Sequence, residues 1–406
     1  MTDDIKTAGA AAPTLNRDAR AAMEAMNAEA APLNIWLRTQ ANAPAQKAWF
    51  KHTGIDDTGQ IAQGRVAAGQ TKALPHHWSW QKISPYLHKI SEVAKNADIP
   101  PTEFADRQQF LLTNPGLGGK LQVTATIRCA VSIYNPGDVA RAHLHSPNAS
   151  RTILSDNGGY TTIEGERCYA DRGDLILTPN GTWHDHGNDG ATPVMWIDTL
   201  DWPVLEVLDC IWLDEDAPGL AGNERAQRVT LPAGYSHSLY GSGGMTPRKA
   251  NHRRGFGNGI SPFFHYKGAE IREALKAMHG AGERDPHEGT ALDFVNPVNG
   301  EPLFPTLGYG AQLLAKGEET EFKRETASTV YVCIEGRGQS EVAGTTFNWE
   351  KNDIFVVPNF LWRRHVNTGP GNAVLYTMTD RPLLEKIGQY RAQGMAGGGT
   401  VEQLVV

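Results

Sequence analysis

Gly173-Asp174-Leu175-Ile176-Leu177-Thr178-Pro179-Asn180 is echoed far along the chain by Asn352-Asp353-Ile354-Phe355-Val356-Val357-Pro358-Asn359. Three residues after each copy ends comes a second echo, Trp183-His184-Asp185-His186 against Trp362-Arg363-Arg364-His365. A short apolar run between turn-forming residues reads as a strand. Two copies of one ordered pattern mark a duplicated unit. The copies diverge where chemistry would sit, since His184 stands opposite Arg363.

Outward from these stretches the texture is strand-rich from about residue 120. Leu121–Ile127 and Val131–Tyr134 alternate with a period of two, and Leu175–Leu177 reads as a further strand. Closely spaced turns between such runs predict a jelly roll or sandwich. A second strand-rich block spans about 305–380. Ahead of the first block the chain is Ala-rich and helix-like. Asn16 is a cap for a helix through Met26, Pro32 breaks it or starts a second helix through Ile35–Leu37, and Pro75–Trp80 is an extended arm into a helix near Ile83–Ala94. The expected fold is all-β, two jelly-roll barrels with an N-terminal helical extension. The expected divisions are 1–95, 96–235, 236–300 with one helix at Ala269–Met278, 301–385, and a tail 386–406.

The chain has 406 residues, a formal net charge of -7 and 40% hydrophobic residues. That length buries a sizeable core without disulfides or structural zinc. Cys129, Cys168, Cys210 and Cys333 are scattered, with no CxxC pair, which suits a reducing cytoplasm. The mild acidity gives no reason to expect nucleic acid or an anionic membrane. No secretory signal or membrane-length apolar run is visible.

The residues with chemistry are His143, His145 and His184. On a strand, His-x-His puts both rings on one face. Gly137-x5-His143-x-His145 matches the start of the first cupin motif, and Gly173-x5-Pro179-x-Gly181-x2-His184-x3-Asn188 completes the second. Three neutral imidazoles on one face leave open positions on an octahedral ion, the pattern that serves non-haem Fe(II) and O2, with zinc as the competing metal. The usual cupin carboxylate is absent, with Ala149 in its place. In the second block the corresponding residues are Lys323, Glu325 and Arg363, so no metal is expected there.

The sequence resembles the gentisate 1,2-dioxygenase family of bicupins, which includes salicylate and 1-hydroxy-2-naphthoate dioxygenases. Asn114–Leu117, Pro136–Ala140 leading to His143 and His145, Thr182–Asn188 and Asn296–Gly300 carry the likeness, which covers about residues 75–385. The resemblance implies iron held by His143, His145 and His184, with O2 as co-substrate. It implies a small aromatic carboxylate gripped by Arg151 and Arg107, and polar roles near the substrate oxygens for His186 and Asp198. It also implies a homo-oligomer, tetramer or dimer. Arg128 and Ser132 stand where relatives often carry an aromatic residue and a Gln. Arg128 either pairs with an extra anionic substituent or points outward.

The expected reaction is ring opening between the carboxyl- and hydroxyl-bearing carbons by an extradiol-type dioxygenase, with His186 as proton shuttle. Two other readings stay open. One is a metal-dependent cupin isomerase or lyase acting on a small hydroxy acid, and the other is a cupin that binds metal or ligand without turnover.

Overall fold

Seven consecutive buried residues, Arg128–Tyr134, form a strand covered on both faces. One face looks into a barrel and the other onto apolar side chains shared with a second barrel. The computed structural model that shows this describes residues 17–37, 73–96, 108–156, 159–215, 229–241, 261–396 and 400–405. In the first barrel a seven-stranded sheet runs in the order Ile35–Leu37, Gln109–Leu112, Arg128–Tyr134, Val194–Leu200, Ala149–Ile153, Leu175–Thr178, His265–Tyr266. A five-stranded sheet of Leu213–Glu215, Val139–His145, His184–Gly187, Tyr160–Ile163 and Glu166–Tyr169 closes it. Tyr134, Ile153, Ile163, Ile176 and Trp196 pack between the two sheets.

The second barrel has two six-stranded sheets. One is Thr290–Phe294, Gly308–Leu314, Ala373–Thr379, Thr329–Glu335, Ile354–Val357, His76–Trp78. The other is Thr345–Glu350, Arg337–Val342, Arg363–Asn367, Phe322–Glu325, Ala392–Ala396, Thr400–Val405. Tyr331, Trp349, Phe355 and Leu375 fill its interior. A single apolar core joins the barrels. It combines Cys129, Val131, Ile133 and Ile197 of the first with Ala311, Leu313, Val330 and Val332 of the second, and the helices Trp80–Asn96 and Gly268–Gly280 cover it with Ile83, Leu87, Ile90, Ile271 and Leu275. Removing one such fully buried side chain, as in Leu87→Ala, costs about 2–5 kcal/mol.

The duplicated all-β architecture and the helical extension are as the sequence predicts. Three local expectations are corrected. Ile35–Leu37 is a strand paired with Gln109–Leu112, because left-handed Asn34 (φ 55) ends the 3-10 turn Ala31–Leu33 and turns the chain onto that sheet edge. Leu121–Ile127 is no strand. Val123 N–H donates to Ile127 O (2.9 Å) and Ile127 N–H to Thr124 Oγ1 (3.0 Å), so the segment folds on itself. The connection holds a second, short helix, Tyr235–Tyr240, besides Gly268–Gly280. Asn16 lies outside the described residues.

The barrels exchange strands. His76–Trp78 precedes the first barrel but pairs with Ile354–Val357 of the second, and His265–Tyr266 precedes the second but pairs with Leu175–Thr178 of the first. The duplicated aspartates anchor both exchanges. Asp353 accepts from His77 Nε2 (2.9 Å) and Trp80 N (2.6 Å); Asp174 accepts from His265 Nε2 (2.6 Å) and Gly268 N (2.7 Å). In each case the histidine lies three residues before the backbone donor that opens a helix.

Candidate active site

Antiparallel pairing sets His184 directly across from His143, and alternation along Val139–His145 puts His145 on the same face. Ring centroids are 4.4 Å apart for His143 and His184 and 4.8 Å for His145 and His184. His186 joins the cluster 5.2 Å from His184, past an irregularity in the ladder. The expected three histidines therefore meet, and a fourth stands beside them. Donor atoms of His143, His184 and His186 lie within 4.8 Å of one another.

Proximity groups His143, His184 and His186 and leaves His145 out, but the hydrogen bonds at Nδ1 divide the four rings differently. His143 Nδ1 lies 2.9 Å from Arg141 O, His145 Nδ1 2.8 Å from Pro147 O, and His184 Nδ1 2.8 Å from Thr182 O. A carbonyl only accepts, so each Nδ1 carries the proton and each Nε2 keeps a lone pair. Metal-bound histidines use this arrangement. His186 Nδ1 instead faces Thr161 Oγ1 at 3.1 Å, a hydroxyl that can donate or accept, so its tautomer is not fixed. The Nε2 atoms of His184 and His186 are buried without partners.

Burial keeps His145, His184 and His186 neutral. It lowers the His145 pKa to about 3, with His143 and Arg151 adding to the effect. Burial, then His143 and His145, hold His184 well below the ordinary value. Burial, then the Arg151 charge, do the same for His186. Imidazoles with Nε2 turned away from their carbonyl partners, and the orphaned buried Nε2 atoms of His184 and His186, fit a divalent ion.

The polar wall comes from the facing sheet. Asp198 sits opposite Arg151 on one side and Ala130 on the other, so Arg151 and Asp198 share the inner face with Trp196. Arg151 Nε lies 3.1 Å from Asp198 Oδ1 as an ion pair, off the hydrogen-bonding line, and Nη1 reaches Thr178 Oγ1 at 3.2 Å. Asp198 Oδ2 accepts from Ser132 Oγ (2.8 Å), Gln109 Nε2 (3.0 Å) and Trp196 Nε1 (3.1 Å). Burial pushes its carboxyl pKa up, and Arg151 opposes that.

Arg128 shares this face by register, opposite Leu200. Its guanidinium is engaged by Leu121 O (2.9 Å), the Trp202 ring (4.5 Å) and Glu206 (3.8 Å). Arg107 lies outside the described residues. The sequence reading missed Gln109, Thr178 and Thr161. Their roles depend on cross-strand register, and alternation with Ser132 and Arg151 was the only available signal.

A cupin-domain family model matches residues 130–200, the segment with all four histidines. The chain is 34% identical over 331 residues to a 5-aminosalicylate 1,2-dioxygenase of Comamonas sp, covering 80% of this chain and 83% of that one. It is 32% identical over 323 residues to gentisate 1,2 dioxygenase 1 of Aquipseudomonas alcaligenes, covering 79% and 87%. A solved structure of a salicylate 1,2-dioxygenase variant from Pseudoaminobacter salicylatoxidans in complex with gentisate superimposes with a TM-score of 0.70 at 28% identity, covering 80% and 87%. With these relatives and this architecture, the chain belongs to the gentisate 1,2-dioxygenase family of two-cupin ring-cleaving dioxygenases.

Proposed function

We propose that the chain is an Fe(II)-dependent dioxygenase that uses O2 to open a 2-hydroxy aromatic carboxylate between the carboxyl-bearing and hydroxyl-bearing carbons. 5-Aminosalicylate, gentisate and salicylate, for which its relatives are named, all carry that ortho pair. The bond opened is not one beside a catechol pair, so the narrower label extradiol is dropped. The observation that carries the reading is the commitment of three Nδ1–H groups to backbone carbonyls, which presents His143, His145 and His184 as ligands and leaves His186 free to work on protons.

When bound, the ferrous ion supplies open positions where a chelating hydroxy-carboxylate and O2 meet, and a path for electron density between them. Arg151 orients the substrate carboxylate by charge-assisted hydrogen bonds from guanidinium N–H groups that Asp198 and Thr178 do not occupy. Asp198, itself held by three donors, fixes that guanidinium. His186 Nε2 exchanges a proton with the substrate hydroxyl, and Thr161 accommodates either tautomer at Nδ1. Tyr134, Ile153, Ile163 and Trp196 keep the surroundings dry. Arg107 remains part of the proposed carboxylate grip. Arg128 is proposed to contact ring substituents rather than the reacting atoms. The assembly is proposed to be a tetramer or dimer, which light scattering would measure.

The test is anaerobic reconstitution with Fe(II) or Zn(II), followed by O2 uptake and product mass on a panel of 2-hydroxy aromatic acids. Iron-specific uptake with a product heavier by one O2 is expected; turnover without O2 would replace this reading with a lyase or isomerase. His145→Ala should lose iron, whereas His186→Ala should keep iron and lose turnover. The reverse pattern would exchange their roles.

A further inference from the structure

Asp201, fully buried just after the Val194–Leu200 strand, joins the two loops that support the histidines. Its Oδ1 accepts from Asn148 N (2.8 Å) and its Oδ2 from Asn148 Nδ2 (2.9 Å). Asn148 Oδ1 accepts from Asn180 N (3.1 Å), and Asn180 Nδ2 donates to Ser146 O. Gly181 N donates to His145 O (3.0 Å). The loop after His145 is thereby tied to the loop before His184. These loops contain Pro147 O and Thr182 O, the carbonyls that fix the Nδ1 protons of His145 and His184. A further donor crosses from the second barrel, where Thr306 Oγ1 bonds Asp201 Oδ2.

The duplicate shows the same clamp without metal ligands. Asp380 accepts from Ser328 N (2.8 Å), and Thr126 of the first barrel reaches back to it (2.5 Å). Asn359 N donates to Ser328 Oγ (3.2 Å), as Asn180 N does to Asn148. The two threonine contacts are reciprocal across the barrel interface, but only the Thr306–Asp201 one leads to histidines.

We propose that Asp201, gripped across the interface by Thr306, is a positioning residue for the metal centre, so that the second barrel contributes to iron retention in the first. This rests on His143, His145 and His184 being the ligands. Partners that orient metal-bound histidines typically matter about 10–100-fold in metal affinity, and Thr306 acts one step further out, at about the lower end of that range.

The experiment compares Thr306→Val with Thr126→Val in the full chain. Fe(II) affinity is read by anaerobic titration, Co(II) absorption reports ligand geometry, and Tm reports stability. Thr306→Val should weaken Fe(II) binding about tenfold and alter the Co(II) spectrum. Thr126→Val should lower Tm comparably and leave both metal readouts at wild-type values. Thr306→Ser, which keeps the hydroxyl, should restore affinity, and Thr306→Ala and Thr126→Ala repeat the comparison without an added methyl. Equal metal affinities for the Thr306 and Thr126 variants would overturn the inference. Retention of wild-type Fe(II) affinity by His184→Ala would instead overturn the ligand assignment on which it rests.

Discussion

The two barrels share a ladder but fill it with opposite chemistry. Where the first pairs His143 with His184, the second pairs Lys323 with Arg363. Lys323 Nζ lies 2.6 Å and Arg363 Nη2 2.8 Å from Glu288 Oε1, Arg363 Nη2 lies 3.0 Å from Glu325 Oε1, and Tyr390 OH donates to Glu325 Oε2 at 2.9 Å. Burial pushes the Glu288 carboxyl pKa up, but Arg363 and Lys323 outweigh it and hold the group well below the usual carboxylate range. The positions of Arg151 and Asp198 are taken by Tyr331 and Thr377, with Tyr331 stacked on Phe355 at 4.7 Å. His186 alone keeps its type as His365, and each faces a cross-strand hydroxyl, Thr161 or Ser340. One framework thus presents a cluster of imidazoles in one copy and a self-neutralised ion cluster in the other. The fold supplies the positions, and the side chains decide whether a guest is needed.

The contrast is most exposed to His184→Ala against Arg363→Ala. Enzymatic acceleration starts at about 10⁶-fold, and His184→Ala should forfeit all of it along with the iron, by O2 uptake and metal analysis. Arg363→Ala should spare the iron but destabilise the fold by about 3–5 kcal/mol, because buried Glu325 and half-buried Glu288 would be left beside fewer cations. Denaturant titration measures that loss. A turnover defect as deep as that of His184→Ala would erase the distinction between the barrels.

A smaller effect separates Arg151 from its counterpart. Arg151→Met should remove hydrogen bonds to a charged group worth about 1.5–3 kcal/mol, read as a KM increase of roughly 10–150-fold, and it should also lower stability because Asp198 is left buried without its cation. Tyr331→Phe should leave KM unchanged.

The smallest effect is a slope. Burial first, then Arg363, lower the His365 pKa from 6.5 to about 3. The unfolded chain therefore binds a proton that the folded chain refuses within that window. Stability from this group is complete above pH 6.5 and is lost as pH falls toward 3. His365→Asn, which keeps a polar group toward Ser340, should flatten the pH dependence of unfolding there by about 1.4 kcal/mol per pH unit. An unchanged slope would mean His365 is protonated in the folded barrel.

The sequence made the duplication, the barrels and the histidine cluster readable because turn residues recur at fixed spacing and the histidines stand at fixed distances from them. It concealed whatever depends on contacts between distant segments. Ile35–Leu37 and His76–Trp78 are three residues each, too short to show a period, and their pairing partners decide their conformation. Leu121–Ile127 alternates as a strand would, yet Val123 and Ile127 are buried in a turn that closes on itself. The second barrel's ion cluster needs Glu288 from a loop that no motif marks. The difference between His145 and His186 that supports the proposed ligand set is which atoms their Nδ1 nitrogens meet, a matter of carbonyl placement rather than residue type.

The strand exchange has a consequence for biosynthesis. Asp174 waits for Gly268, 94 residues downstream, before its carboxylate is satisfied. At roughly 5–20 residues per second, a nascent chain spends about 5–20 s with the Leu175–Thr178 edge bare. The first half cannot finish on the ribosome by itself, and the helix that seals it also opens its twin.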